Sequence, residues 1–157
     1  MAGMIDPTRP TDAHIICTAW LTHNSHTHIH TRATLQLLAD FQKSDACGDW
    51  AFAVLNQPAA AAAHAQEARH FALQCLAALL KNQWRGWAPG VREQFRRAVV
   101  GLMDGMGAAE PTFMRERVAL LVSGVGERDF PHAWPTMLAD LATVWETRGP
   151  GPVVTGA

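Results

Sequence analysis

From Gln66 to Trp84 the chain reads QEARHFALQCLAALLKNQW, and its apolar residues recur at intervals of three and four: Ala68, Phe71, Ala72, Cys75, Leu76, Leu79 and Leu80. Only a helix gathers such a set on one side, because about 3.6 residues per turn returns i+3, i+4 and i+7 to the same face, whereas a strand returns every second residue. His70, Gln74 and Lys81 fall on the opposite side. The segment has one face to bury and one for water or a partner.

The same period governs the rest of the chain. Val91, Phe95, Ala98, Val99, Leu102, Met103 and Met106 share a face after WAPG and before GMG, with Arg92, Glu93, Arg96 and Arg97 opposite. A further stripe between Glu110 and Arg128 holds Met114, Val118, Leu121, Val122 and Val125. Gly124 and Gly126 each cost about 1 kcal/mol relative to alanine there, which predicts a frayed or bent last turn. A last helix is expected from near Pro135, with Met137, Leu138, Leu141, Val144 and Trp145 as its apolar face. Upstream, AHIICTAWL, ATLQLLADFQK and DWAFAVLNQ read as three more. β-branched runs and alternation are scarce, so the fold class is all-α.

Helices of similar character recur roughly every 40 residues, the period of helix-pair repeats of the HEAT type. One pair cannot bury its own stripe. Stacked on its neighbours it can, and the result is a right-handed α-α superhelix, a HEAT/ARM-like solenoid with A helices outside and B helices on the inner wall. The expectation is three helix pairs and an unpaired final helix over 13–148, with a disordered N-terminus at 1–12 and a disordered Gly/Pro tail at 149–157. An unpaired end leaves the last apolar stripe open.

Composition narrows the functions. With 48% apolar residues in 157, the chain is long enough for a packed core. A formal net charge of −1 argues against holding nucleic acid by bulk charge. No signal peptide or membrane-spanning run is evident, so no membrane insertion is expected. Cys17, Cys47 and Cys75 are odd in number and far apart in sequence, which suggests neither a disulfide framework nor a thiolate metal site.

RDFPHAWPTML, at 128–138, places Pro131 and Pro135 four apart. Proline lacks the amide hydrogen and is tolerated only in a connection or a helix's first turn. Pro131 is thus expected to stop one helix and Pro135 to begin the next near its N1 position, with Phe130 and Trp134 wedged between them.

The turn Phe130-Pro131-His132-Ala133-Trp134-Pro135 resembles the signature that follows the third N-terminal repeat of importin-β-like nuclear transport receptors, especially the exportins. RHFALQ at 69–74, NQW at 82–84 and REQFRRAVVGLM at 92–103 resemble the exportin second B helix and next A helix in order and spacing, and the likeness is strongest to the HASTY-type exportins. It extends from Asn24 to Arg148. Departures are Phe130 in place of tryptophan, Gly124 and Gly126 in place of bulkier residues, and the alanine run at 59–63.

The resemblance implies the N-terminal part of a receptor that shuttles between nucleus and cytoplasm. Such a receptor binds Ran-GTP, RNA or protein cargo and nuclear pore proteins, without catalysis and without a cofactor. The inner-wall faces expected to meet Ran or cargo carry Gln66, His70, Gln74 and Lys81 on the second B helix, and Arg115, Glu116, Ser123 and Glu127 on the third. Their mixed charge suits a protein partner better than a phosphate backbone.

His23, His26, His28 and His30 cluster in HNSHTHIH, and the spacing of His26 and His30 permits a shared metal on a helix. No H-E-x-x-H accompanies them, so a small metal-binding or enzymatic helical protein is the alternative, with a generic helical-repeat adaptor beside it. Ser25, Ser44 and Ser123 lack a nucleophile context, and GLMDGMG ends a helix rather than opening one. Arg85, Arg92, Arg96 and Arg97 with Trp84 and Trp87 read as a solvated outer face rather than a single-strand binding patch. Met103, Met106, Met114 and Met137 read as core filler.

Overall fold

In the computed structural model, which describes residues 36, 39–44, 46–57, 65–107 and 110–148, every regular element is helical. Helix α1 spans Ala46–Leu55, α2 Ala65–Asn82, α3 Pro89–Gly105, α4 Thr112–Asp129 and α5 Met137–Arg148, with a 3-10 turn at Trp84–Gly86. The expected helix AHIICTAWL, parts of ATLQLLADFQK, the histidine cluster, the alanine run and both tails lie outside the described residues. The chain divides into two compact units, Met1–Trp87 and Ala88–Ala157.

In the first unit α1 packs on α2. Cys47, Ala51 and Leu55, four apart, form the buried face of α1. Opposite them, Phe71, Ala72, Cys75, Leu76, Leu79 and Leu80 of α2 are buried as the period predicts. Each large one contributes roughly 1.5–3 kcal/mol by leaving water. Phe41, Trp50 and Phe71 form an aromatic cluster, with Phe41 and Trp50 edge to face at 5.4 Å and Trp50 and Phe71 at 5.7 Å. The buried band of α2 is wider than the predicted stripe, since it also takes in Leu73 and Arg69. Arg69 Nη1 donates to the Gln57 carbonyl at 3.5 Å, just past the end of α1, where carbonyls lack intrahelical partners.

In the second unit α3 packs on α4, and α5 lies against α3. Pro89 occupies the start of α3, where its missing amide hydrogen costs nothing. Phe95, Val99 and Leu102 of α3 are buried, as are Met114, Val118, Leu121, Val122 and Val125 of α4. Among the methionines, Met106 and Met114 are buried while Met103 and Met137 are half-buried. The architecture is thus all-α with sequential helix pairs, as in a helical-repeat solenoid.

Several expectations change. Helix α4 does not fray early: it runs through both glycines to Asp129. Gly126 is itself buried, and a Cβ there would sit 2.7 Å from the Met137 sulfur. The residue is small because another helix's first side chain occupies that space. The final helix, expected to be unpaired, packs on α3 and buries Val144 there. Leu138 and Trp145, seven apart on another side of α5, stay 67% and 72% exposed, so the expected stripe is covered along one edge only. Val91 is also exposed, in the first turn of α3. Among the described residues no helix is long and apolar enough to cross a membrane.

Candidate functional site

The most organised polar cluster lies where α4 ends and α5 begins. The backbone N–H of Phe130 donates to Gly126 O at 2.9 Å and closes α4. The Phe130–Pro131 bond is cis. Asp129 O then accepts from the N–H groups of Ala133 and Trp134, at 2.7 and 3.0 Å, which folds 129–134 into a tight turn. Proline at 131 needs no amide partner in that turn, so the motif does stop the helix.

Its second half differs from the expectation. Helix α5 starts at Met137, and the Thr136 carbonyl accepts from Asp140 N–H at 2.9 Å. Thr136 is therefore the N-cap residue, and Pro135 lies one place outside the helix rather than at N1. The aromatic wedge is also single. Trp134 is buried, whereas Phe130 is 45% exposed because the turn aims it outward.

Arg96 fastens this turn from α3. Its Nη1 donates to Asp129 Oδ2 at 2.9 Å and to Ala133 O at 3.0 Å, and its guanidinium lies 5.5 Å from the Trp134 ring centroid. The Asp129 side chain is 3% exposed and that of Arg96 15%, so the pair is largely out of water. Arg96 thus does not belong to a solvated outer face. On the other side of Trp134, Nε1 donates to Asp140 Oδ2 at 2.6 Å and Thr136 Oγ1 donates to the same oxygen at 2.9 Å. These two hydrogen bonds, Trp134 first, and then the Arg96 charge hold the Asp140 carboxyl below its usual range. A shallow cavity of about 360 Å³ between α3 and α5 adjoins the cluster, bordered by Arg97, Gly101, Asp104 and Thr143. These bonds tie the start of α5 and the middle of α3 to the turn that ends α4.

The predicted partner faces can be placed one unit at a time. On α2, Gln66 and Lys81 are exposed, while His70 and Gln74 are half-buried. On α4, Arg115, Glu116, Ser123 and Glu127 are all exposed. Two residues that periodicity passed over join the α4 face. Phe113 and Leu120 are 41% and 65% exposed, and with Glu116, Ser123 and Glu127 they recur at helical spacing. The Leu120-Leu121 doublet concealed this, since the buried stripe takes Leu121 with Val122 and leaves Leu120 outside it. Along this exposed face apolar and polar or charged side chains alternate.

Ser44 Oγ donates to the Phe41 carbonyl at 2.8 Å, a local turn bond. Arg97 pairs with Glu93 one turn away, both side chains exposed, as expected for a solvated face. Among the described residues no three histidine, cysteine or acidic side chains gather as a metal site, and His23, His26, His28 and His30 lie outside them.

The described residues thus combine paired helices, a clamped Pro-x-x-Trp-Pro turn and an exposed α4 face of mixed character. Over 76 residues the chain is 30% identical to Exportin-5 of Dictyostelium discoideum. That stretch is 48% of this chain but 7% of the relative, so the likeness to exportin-5 is partial and distant. No family model and no solved structure matches.

Proposed function

We propose that this chain acts as the N-terminal repeat segment of a nuclear export receptor, binding Ran-GTP and cargo without catalysis. The similarity to exportin-5 carries this reading. The sequential helix pairs and the exposed α4 face support it. Ran is met by Gln66, His70, Gln74 and Lys81 on α2 and by Arg115, Glu116, Ser123 and Glu127 on α4, with Phe113 and Leu120 as the apolar residues of the second face. The cargo, RNA or protein, and the nuclear pore proteins are partners of the full-length receptor, which shuttles between nucleus and cytoplasm.

Full receptors of this kind grip Ran through several separated groups of repeats, so the present chain binds it weakly. The test is calorimetric titration of the chain with Ran loaded with GTP or with GDP. The reading predicts weak binding, in the micromolar range or above, to the GTP form only. Equal affinity for both nucleotide states would overturn it.

A further inference from the structure

The first unit contains two cysteines that chain order hides from each other. Cys47 lies in the first turn of α1 and Cys75 in the middle of α2, and neither is accessible to solvent. The register of the hairpin brings them together. Gln57 meets Arg69, Trp50 meets Phe71 and Gly48 meets Leu79, so moving back along α1 means moving forward along α2. Cys47 therefore falls opposite the turn of α2 that begins at Cys75. The two thiols are within hydrogen-bonding reach of each other. Gly48, beside Cys47, has no side chain to hold the helices apart, and a Cβ there would sit 3.4 Å from Leu79 Cδ1. Closely approaching elements with facing thiols are what a disulfide requires.

We propose that Cys47 and Cys75 form a reversible disulfide, a covalent staple between α1 and α2, set by a small disulfide oxidant such as oxidised glutathione. The thiolate of one cysteine attacks a sulfur of the oxidant, the oxidant's S–S bond breaks, and one molecule of reduced glutathione leaves. The second cysteine gives up its proton and attacks the protein sulfur of the mixed disulfide, releasing the other glutathione. Two protein thiols become one disulfide, and two electrons pass to the oxidant, which ends as two reduced thiols.

The surroundings set the rate. The hydrogen bond with Cys47, then burial, push the Cys75 thiol up, so it stays protonated in the closed hairpin. Because the thiolate is the reacting species, exchange proceeds through opened hairpins and is slow in both directions. The staple is thus written during folding or local opening and then persists. It fixes α2, which carries Gln66, His70, Gln74 and Lys81, against α1.

The test is refolding of the full chain, carrying Cys17→Ser so that two thiols remain, in graded mixtures of reduced and oxidised glutathione. Intact mass and peptide mapping give the products. The expected product is lighter by two hydrogens, with the Cys47 and Cys75 peptides linked. Its effective concentration should exceed that of the same chain in denaturant roughly tenfold or more. Approaching equilibrium by refolding prevents slow access to buried thiols from masking the outcome. Glutathione adducts in place of the link, or an effective concentration no higher than in denaturant, would overturn the proposal. Should Cys17→Ser fail to fold, mapping of the unaltered chain decides instead: a dominant Cys47–Cys75 link supports the staple, and links to Cys17 contradict it.

Discussion

Arg96 reaches from α3 to the turn that ends α4, and removing it would strand the Asp129 carboxylate away from water. A buried charge without its partner is costlier than the pair's net worth, so Arg96→Ala should destabilise the chain by about 2–3 kcal/mol in urea denaturation, the lower end because the guanidinium keeps some solvent contact. Arg96→Lys should recover only part, since lysine lacks the planar group that bonds Asp129 while lying over Trp134. Asp140 makes a pH prediction. Its folded pKa is depressed by hydrogen bonds from Trp134 and Thr136, so its contribution is present above the ordinary carboxylate pKa and lost as pH falls through the lower folded value. The Trp134 indole N–H resonance should shift in that acid range, and Asp140→Asn should abolish the shift. These roles were invisible in the sequence, because a helical wheel places Arg96 on the polar side and says nothing of a carboxylate that returns 33 residues later.

The elements themselves were largely legible, because burial of one face dictates spacing within a helix. The stripes of α2 and α4 appear where three-and-four recurrence puts them. Contacts between helices were not, and they account for the misreadings. Gly126 seemed a weak point of α4 by propensity, yet it is the space into which Met137 fits. Gly126→Ala should be nearly neutral, since the flexible thioether can swing aside while alanine favours the helix. Gly126→Leu should cost about 1–3 kcal/mol by overpacking, as thermal denaturation would measure. On α5, Leu138 and Trp145 face solvent while Val144 is buried, although all three share the predicted stripe. Leu138→Ser and Trp145→Ser should therefore each change stability by less than about 0.5 kcal/mol and lower self-association in sedimentation velocity, whereas Val144→Ser should destabilise clearly.

At the scale of the whole molecule, the period of the repeats pointed to stacked helix pairs, since one pair alone cannot bury its stripe. The partner faces were legible only as the remainder left by the stripes, and that is why Phe113 and Leu120 were missed: solvent-facing apolar residues break the rule that defines the remainder. What such a face binds depends on its partner, which the likeness to exportin-5 suggests and periodicity cannot. Hydrogen exchange of the full chain with Ran loaded with GTP, against Ran loaded with GDP, tests this most directly. The account predicts slower exchange in α2 and α4 with the GTP form alone, removed by Leu120→Glu on the α4 face. Protection identical with the two nucleotides, or confined to helices other than α2 and α4, would contradict it.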